Sequence, residues 1–267
     1  MKLCDKDVGQ LGFGTWGLGG GFWTPEYSRD EEAVDAIRYA YERGIKVFDT
    51  AEMYGGGHSE ELVGKALREV QDEVMIISKV WPNHIRYDDL VRSAEASRRR
   101  LGVKAIDLYL IHWPNPEVPL YESIRAMEDL IERGIIRCMG VSNFDVRLLE
   151  EAIRAARKYD VIADEVEYSV YHRDPEAGLI QFAKQNNIAV IAYSPLGHGQ
   201  ASRDSHLASI GRKYGKTPVQ VALNYVILNG AIPIPKASRR RHIDEIVGSL
   251  GWSLTPDDVN AIRSRYP

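Results

Sequence analysis

Residues 11–21 read LGFGTWGLGGG, and residues 12–17 have the Gly-x-Gly-x-x-Gly spacing of a dinucleotide-binding loop. Such a loop needs a strand before it and a helix that begins on it. Residues 1–10 are mostly polar, and the residues after the motif are rich in glycine and interrupted by Pro25. Because no strand-loop-helix unit fits this context, the stretch favours a glycine-rich strand and loop over the first strand of an open nucleotide-binding sheet.

Short apolar runs alternate with amphipathic helical patterns along the whole chain. LGFGTW is the best candidate for the first run, and seven more follow at a spacing of mostly 25–33 residues, the length of one strand-helix unit. Eight such units form either a closed barrel or an open doubly wound sheet. We therefore predict an α/β fold, a (β/α)8 TIM barrel in a single domain of residues 1–267. The seven further runs are 45–50, 74–79, 106–112, 135–143, 161–168, 188–194 and 231–236.

Several helix starts have recognisable signals. Ser28 and Glu31 have the spacing of a capping box before the first helical pattern. Thr217-Pro218 and Thr255-Pro256 each place a cap residue before a proline at the first helical position. These signals predict where three of the helices begin.

Composition excludes several classes of protein. The chain has 34 basic and 38 acidic residues, a net charge of -4, and no basic tail, so nucleic acid and membrane surfaces are not expected partners. No apolar signal segment or long apolar window is present, which predicts a cytoplasmic protein. The two cysteines, Cys4 and Cys138, give neither a disulfide framework nor metal-ligand spacing, and Cys138 is expected in the core.

Polar residues stand where several apolar runs end. Asp49, Lys79 and His112 end three successive runs, and a later run ends at Glu165 or Glu167. Barrel enzymes place their chemistry at these carboxyl ends, where the side chains converge on one mouth. Each residue alone has a plainer explanation, as an ion pair or a core histidine, but their joint occurrence predicts a shared site.

Tyr54 follows Asp49 on a glycine-rich loop that can fold over this mouth. An ammonium such as Lys79 beside a phenol favours tyrosinate and lowers the pKa of the tyrosine below about 10. Asp49 could hold Lys79 charged and in place. The set predicts a tyrosine acid/base with a histidine, His112, that orients a polar substrate atom.

At these residues the sequence resembles the aldo-keto reductase superfamily. The family's blocks occur in order as FDTAEMYG, ISKVWP, LIHWP, GVSNF, VEYS, AYSPLG and IPIPKAS, and they span residues 11 to about 246. The resemblance implies a barrel closed at the bottom by an N-terminal β-hairpin. It implies an NAD(P)H-dependent oxidoreductase that reduces aldehydes or ketones, small carbonyls or sugars, to alcohols.

The resemblance also implies roles for individual residues. Tyr54 would be the general acid, Lys79 and Asp49 the pair that depresses its pKa, and His112 the group that orients the carbonyl. Hydride would come from the nicotinamide, and no metal is required. Trp16, Trp81 and Trp113 would line the substrate pocket. The positions that match cofactor contacts are Thr15, Trp16, Asp49, Ser142, Asn143, Glu165, Tyr193, Ser194, Leu196, Lys236, Ser238, Arg241, His242 and Glu245.

Three positions depart from the common pattern of the family. Glu165 replaces a glutamine, and its negative charge would favour the cationic, oxidised nicotinamide. His242 replaces an arginine beside the 2′-phosphate of the adenosine, and Ile246 replaces an asparagine. Because residues 236–241 remain strongly basic, we expect NADPH or NADP as cofactor, with NADH as the alternative.

Two other functions fit parts of the sequence. A barrel aldolase or isomerase could use Lys79 as a Schiff base, but the cofactor blocks would then have no purpose. A cofactor-binding regulatory or interaction protein of the same family, with little turnover, is the second alternative. All four catalytic positions are filled, which favours an enzyme that acts on a small-molecule carbonyl substrate. A monomer is the family default.

Overall fold

The structure is a computed structural model that describes residues 2–266. A short antiparallel hairpin of β1 (Lys2–Leu3) and β2 (Lys6–Asp7) precedes a sheet of eight parallel strands, β3 to β10. The strands of this sheet pair in chain order. They are β3 (Gly12–Gly14), β4 (Val47–Asp49), β5 (Met75–Val80), β6 (Ile106–Ile111), β7 (Ile136–Ser142), β8 (Val161–Glu167), β9 (Ala189–Tyr193) and β10 (Ala231–Pro233).

Helices follow the strands and form the outer layer, as the alternating pattern predicted. Two helices separate β9 from β10, which explains the longest spacing between apolar runs. Within residues 2–266, no helix has both the length and the apolar character needed to cross a bilayer. The helices are α1 (Asp30–Glu42), α2 (His58–Leu67), α3 (Tyr87–Leu101), α4 (Leu120–Glu132), α5 (Val146–Ala155), α6 (Leu179–Gln185), α7 (Ser205–Arg212), α8 (Pro218–Leu228), α9 (Arg240–Val247) and α10 (Pro256–Arg265).

Two of the three predicted helix starts are confirmed. Thr217 caps α8 in a full capping box with Gln220, and the Thr255 side chain caps α10. The prediction for Ser28 was wrong. Its backbone N–H donates to the Glu26 carboxylate at 2.7 Å, and α1 begins two residues later, without a side-chain cap.

The seam between the first and last strands closes the barrel, and glycine makes this closure possible. The Gly14 N–H donates to the Pro235 carbonyl at 3.1 Å. A Cβ at Gly14 would lie 2.6 Å from the Ile234 carbonyl oxygen, and one at Gly12 would lie 2.8 Å from the Ile234 Cγ2. Gly17 has φ +76°, which favours glycine. The glycine spacing of residues 12–17 therefore serves barrel closure and a turn.

The barrel interior is an apolar column that the hairpin closes from below, as the resemblance implied. Side chains that alternate along the strands face inward and pack together with Leu3 and Val8 from the hairpin. Lys6 also fixes the hairpin, because its Nζ lies 2.7 Å from Asp107 Oδ1. The inward residues of the strands and β10 loop are Val47, Met75, Ile77, Leu108, Leu110, Ala163, Ala189, Ile191, Ile232 and Ile234.

The cysteine prediction was wrong. Cys4 and Cys138 form a disulfide that ties the N-terminal hairpin to β7. The two cysteines are separated by 134 residues along the chain, so no local spacing in the sequence indicates that they pair. Disulfides persist in oxidising compartments and inside some hyperthermophiles. The cytoplasmic location therefore stays a prediction.

The seam predicts the effect of one added methyl group. Gly14→Ala should destabilise the fold by about 1–3 kcal/mol, because its Cβ meets a backbone oxygen that cannot move without opening the barrel. Gly21→Ala is the matched control, since nothing lies within 4 Å of a Cβ there. Chemical denaturation of both variants measures the difference. Equal stability of the two would show that the seam tolerates a side chain.

Candidate active site

A cavity of about 610 Å³ opens at the carboxyl ends of the strands. The structure brings most of the predicted site residues together around it. The predicted residues that line it are Trp16, Asp49, Tyr54, His112, Trp113, Asn143, Glu165, Tyr193, Ser194, Leu196 and Lys236. Sequence reasoning missed Gly14, Met53, Pro195, His198, Gly199, Ile234 and Pro235, which belong to the same strand ends and loops.

Lys79 lies fully buried beneath the floor of this cavity. Met75, Ile77 and Lys79 alternate along β5, so Lys79 continues the inward-facing series at the upper end of the barrel. Its Nζ donates to both carboxylate oxygens of Asp49 at 2.7 Å and to the Thr50 carbonyl at 3.1 Å. Burial lowers the pKa of Lys79, but Asp49 and the other neighbours raise it by more. The net shift of the Lys79 pKa is therefore upward. Lys79 is therefore a permanent cation.

Asp49 is the counter-ion of Lys79. Burial raises its pKa, and Lys79 opposes this shift through charge and hydrogen bonding. The two 2.7 Å contacts keep the ionised form as the partner of the ammonium. Thr15 supports the same strand end, since its Oγ1 donates to the Asp49 carbonyl at 2.8 Å. Thr15 is fully buried and does not line the cavity.

Tyr54 reaches Lys79 from the glycine-rich loop. The Lys79 Nζ donates to the Tyr54 hydroxyl oxygen at 3.3 Å. The prediction that the pKa of Tyr54 is lowered was wrong, because the net shift is upward. Burial raises it, with Asp49 and Glu165 adding to the rise and Lys79 opposing it. Tyr54 is therefore a neutral phenol that holds a proton at the cavity.

His112 stands directly after β6 and is also neutral. Burial and the positive charge of Lys79 lower its pKa to about 2. Its ring lies edge-on to Tyr54, with the two centroids 5.8 Å apart. The Nδ1 atom is buried and has no hydrogen-bond partner. A neutral imidazole of this kind can give one N–H to an oxygen in the cavity without becoming charged.

Glu165 is the second carboxyl group beside Lys79. It is 2% exposed, and its Oε1 lies 3.3 Å from the Lys79 Nζ. Burial raises the pKa of Glu165 well above its usual range, and Asp49 adds to the rise. The sequence left Glu165 and Glu167 open as the strand end. The structure places Glu165 at the cavity, whereas Glu167 is half-buried and lies 3.7 Å from the exposed His198.

A hydrogen-bonded amide, that of Asn143, forms part of the cavity wall. Asn143 donates from Nδ2 to the His112 carbonyl and to the Ser142 Oγ, both at 3.0 Å, and accepts from the Tyr193 hydroxyl at 2.8 Å. Asn143 has a φ of +63°, a left-handed backbone conformation that costs free energy for residues other than glycine. Ser142 is buried and does not line the cavity; its hydroxyl donates to the Glu165 carbonyl.

Aromatic side chains surround the mouth. Trp16 and Trp113 line it and are about half exposed. Trp81, predicted to line the substrate pocket, packs behind it, with its ring 5.3 Å from that of His112 and 5.1 Å from that of Phe22. Sequence reasoning missed Phe22 as part of this group. It pairs with Tyr54 through an isolated β-bridge, and its position beside the glycine run is the only signal in the sequence.

The predicted phosphate corner lies at the edge of the cavity and extends beyond it. Lys236 lines the cavity and is exposed. At the start of α9, Arg240 is held by an acidic partner, because it donates to both carboxylate oxygens of Asp35, at 3.0 and 2.5 Å. The predicted contacts outside the cavity wall are Ser238, Arg241, His242 and Glu245, of which Arg241 and His242 are exposed.

The chain belongs to the aldo/keto reductase family. The sequence model of this family matches residues 10–266. A methylglyoxal reductase of Escherichia coli, YeaE, is 32% identical over 98% of this chain and 93% of its own length. A 9,11-endoperoxide prostaglandin H2 reductase of Trypanosoma cruzi is 33% identical over 95% of this chain and 86% of its own.

Solved structures of the family have the same fold. The thermostable aldo-keto reductase Tm1743, in complex with the inhibitor epalrestat, is 44% identical, with a TM-score of 0.91 over 96% of this chain and 95% of that one. An aldo/keto reductase from Klebsiella pneumoniae in complex with NADP and acetate is 32% identical, with a TM-score of 0.89 over 97% and 92%. These neighbours support the eight-stranded barrel and a general activity in carbonyl reduction.

The buried charge cluster predicts the effect of removing its cation. Lys79→Met should lower the free energy of unfolding by about 3–5 kcal/mol, because it leaves two carboxyl groups buried without a counter-ion. The folded-state pKa values of Asp49 and Glu165 would then rise further above those of the unfolded chain. The free energy of unfolding that Lys79→Met loses relative to wild type should therefore grow as pH rises from about 5 to 8.

Denaturation curves of wild type and Lys79→Met at several pH values measure this effect. Adding Glu165→Gln to the variant removes one of the unpaired acids and should restore part of the stability. A stability difference that stays constant with pH would contradict the charge assignment.

Proposed function

We propose that this protein is an NADP-dependent reductase of small aldehydes and ketones, with Tyr54 as proton donor. The observation that carries the proposal is the Tyr54 hydroxyl, which lies 3.3 Å from the buried Lys79 ammonium at the floor of the cavity. A phenol that keeps its proton can give it to a carbonyl oxygen as that oxygen gains charge. The adjacent ammonium then stabilises the phenolate that remains.

His112 binds the carbonyl in this proposal. Because it is neutral, it offers a hydrogen bond and does not compete with Tyr54 as an acid. Its ring and the ring of Tyr54 lie edge to face, so a carbonyl oxygen in the cavity can approach both. Lys79 holds Tyr54, and Asp49 holds Lys79. The proton therefore leaves from one defined atom, the Tyr54 oxygen.

The residues present fit a nicotinamide cofactor. Asn143, Glu165 and Tyr193 line the cavity, and the Glu165 Oε2 atom is buried without a hydrogen-bond partner, as expected where a polar group is to bind. These residues would hold the nicotinamide end, and Lys236 and Arg241 would hold a phosphate at the adenosine end. When bound, the reduced cofactor supplies the hydride. The complexes of the Klebsiella relatives with NADP and NADPH support this assignment.

The geometry argues against a Schiff-base aldolase. A lysine that attacks a carbonyl must expose a neutral amine to its substrate. Lys79 has no exposed surface, and Asp49 and Glu165 hold it as a cation. No observation favours the regulatory alternative, since Tyr54 and His112 both line an open cavity.

The aromatic mouth supports small or medium carbonyl compounds as substrates. Trp16, Trp113 and Phe22 are exposed around the cavity and offer flat apolar surfaces. Aromatic aldehydes and small 2-oxoaldehydes would fit between such surfaces and the polar floor. A methylglyoxal reductase among the relatives is in keeping with this class.

The proposal predicts the effect of removing one hydroxyl group. Tyr54→Phe should lower kcat/KM for an aromatic aldehyde by at least about 100-fold, because the proton donor is lost while the ring remains. Consumption of NADPH, followed by absorbance, measures the rate. Tyr109→Phe is the matched control: its hydroxyl is also buried but lies outside the cavity, so its kcat/KM should stay close to that of wild type.

A Tyr54→Phe variant that keeps more than a tenth of the wild-type activity would refute the role of Tyr54. Wild-type protein that binds NADPH but consumes none with several aldehydes would favour the regulatory alternative.

The basic corner predicts the choice of cofactor. Arg241→Ala should raise the KM for NADPH by about 10-fold or more and leave that for NADH nearly unchanged, because a charge-assisted hydrogen bond to the 2′-phosphate is worth about 1.5–3 kcal/mol. Arg240→Ala is the control, since Asp35 already holds that guanidinium. Steady-state kinetics with both cofactors measure the ratio. Equal effects of the two substitutions would contradict a specific phosphate contact at Arg241.

A further inference from the structure

Two buried carboxyl groups share one buried ammonium at the floor of the cavity. Asp49 and Glu165 are each 2% exposed, and Lys79 has no exposed surface. The Lys79 Nζ lies 2.7 Å from Asp49 and 3.3 Å from Glu165. If both acids were ionised, the trio would carry a net negative charge away from water, which is costly. One of the two carboxyl groups therefore holds a proton.

The contacts assign this proton to Glu165. Asp49 takes two short hydrogen bonds from Lys79, whereas Glu165 meets the same ammonium once, at the longer distance. A protonated Glu165 can donate a hydrogen bond, whereas both oxygens of Asp49 already accept one from Lys79. The Oε2 atom of Glu165 is buried and has no hydrogen-bond partner. Burial first, and Asp49 second, raise the pKa of Glu165 well above that of a carboxyl group in water, and Lys79 opposes them.

The other groups around Glu165 are neutral. From β9, Tyr193 faces it as a phenol whose pKa burial raises to about 12. Tyr54 from the glycine-rich loop and His112 from the end of β6 are uncharged, because burial raises the pKa of the phenol and lowers that of the imidazole. The Ser142 hydroxyl on the neighbouring strand β7 donates a hydrogen bond to the backbone carbonyl of Glu165, not to its carboxyl group. Among the described residues, Lys79 is thus the cation that contacts Glu165.

Two charged groups lie further away along the same strand and the rim. Glu167 is half-buried and approaches His198, and Lys236 is exposed at the cavity edge. Water screens both more strongly than the buried trio. A new positive charge that enters the cavity beside Glu165 would therefore meet a carboxyl group that has only one cationic neighbour.

We propose that Glu165 is a neutral carboxylic acid in the free protein and gives its proton to water when the oxidised, cationic nicotinamide binds. The neutral, reduced cofactor leaves the proton in place. The step is a simple exchange: the O–H bond of Glu165 breaks, its electron pair stays on the carboxylate, and the proton passes to solvent through the open mouth. This inference rests on the proposed function, because the nicotinamide must lie beside Glu165.

The sequence alone suggested a permanent charge at this position and therefore a constant preference for the oxidised cofactor. The structure changes that expectation to a preference that depends on pH. One proton is released with the oxidised form and none with the reduced form. The ratio of Kd for NADPH to Kd for NADP should therefore rise with pH, by at most tenfold per pH unit. Titration of the 2′-phosphate is common to both forms and cancels in the ratio.

Quenching of tryptophan fluorescence measures both Kd values, because Trp16 and Trp113 line the cavity. Wild type, Glu165→Gln and Asp164→Asn should be titrated with NADP and NADPH between pH 6.5 and 9. In wild type and Asp164→Asn the ratio should rise with pH, and in Glu165→Gln it should stay constant. Asp164 is the matched control: it is adjacent, fully buried, on the opposite face of β8 and outside the cavity wall.

Calorimetry of wild type gives a second test that needs no variant. Binding enthalpies measured in buffers of different ionisation enthalpy report the number of protons released. We expect a release of up to one proton with NADP and none with NADPH at the same pH. Equal release with both forms, or a pH-dependent ratio that persists in Glu165→Gln, would overturn the inference. If wild type binds neither form, the proposed function itself fails.

Discussion

A single buried ammonium organises the upper end of the barrel. Lys79 contacts Asp49 on β4, Glu165 on β8 and Tyr54 on the loop after β4, so it joins three separate parts of the chain. A cation without water must be surrounded by compensating charge and hydrogen-bond acceptors. The same requirement brings the tyrosine hydroxyl to the cavity floor. The fold and the chemistry of the site therefore depend on one electrostatic constraint.

This constraint is possible because the barrel below it is closed and filled with apolar side chains. The inward-facing positions of each strand are apolar for most of its length and become polar only at the carboxyl end. Along β5, for example, Ile77 belongs to the core and Lys79 to the site. Leu3 from the hairpin fills the lower opening, and Gly14 lets the first strand meet the last. The packed column supports the charged groups and keeps water from reaching them from below.

Much of this architecture could be predicted from the sequence. The alternation of apolar runs and helical patterns predicted eight strands, because strand and helix periods are local properties of the chain. Asp49, Lys79 and His112 stood out because strand ends converge in a barrel whatever the details of packing. The Cys4–Cys138 disulfide could not be predicted, since it depends on where a distant hairpin meets β7. The start of α1 was missed because the Glu26 carboxylate accepts the hydrogen bond from the Ser28 backbone N–H, which the predicted capping box assigned to Glu31.

The sequence by itself determined the residue types at the mouth and the order in which the strands deliver them. Only the tertiary structure decided their states of charge. Lys79 next to Tyr54 suggests a lowered tyrosine pKa, but burial outweighs the ammonium and leaves a neutral phenol. Glu165 appears as an extra negative charge in the sequence, yet burial and the neighbouring Asp49 raise its pKa well above the usual range. The reason is physical: desolvation and the distances between charges exist only after the strands have closed around them.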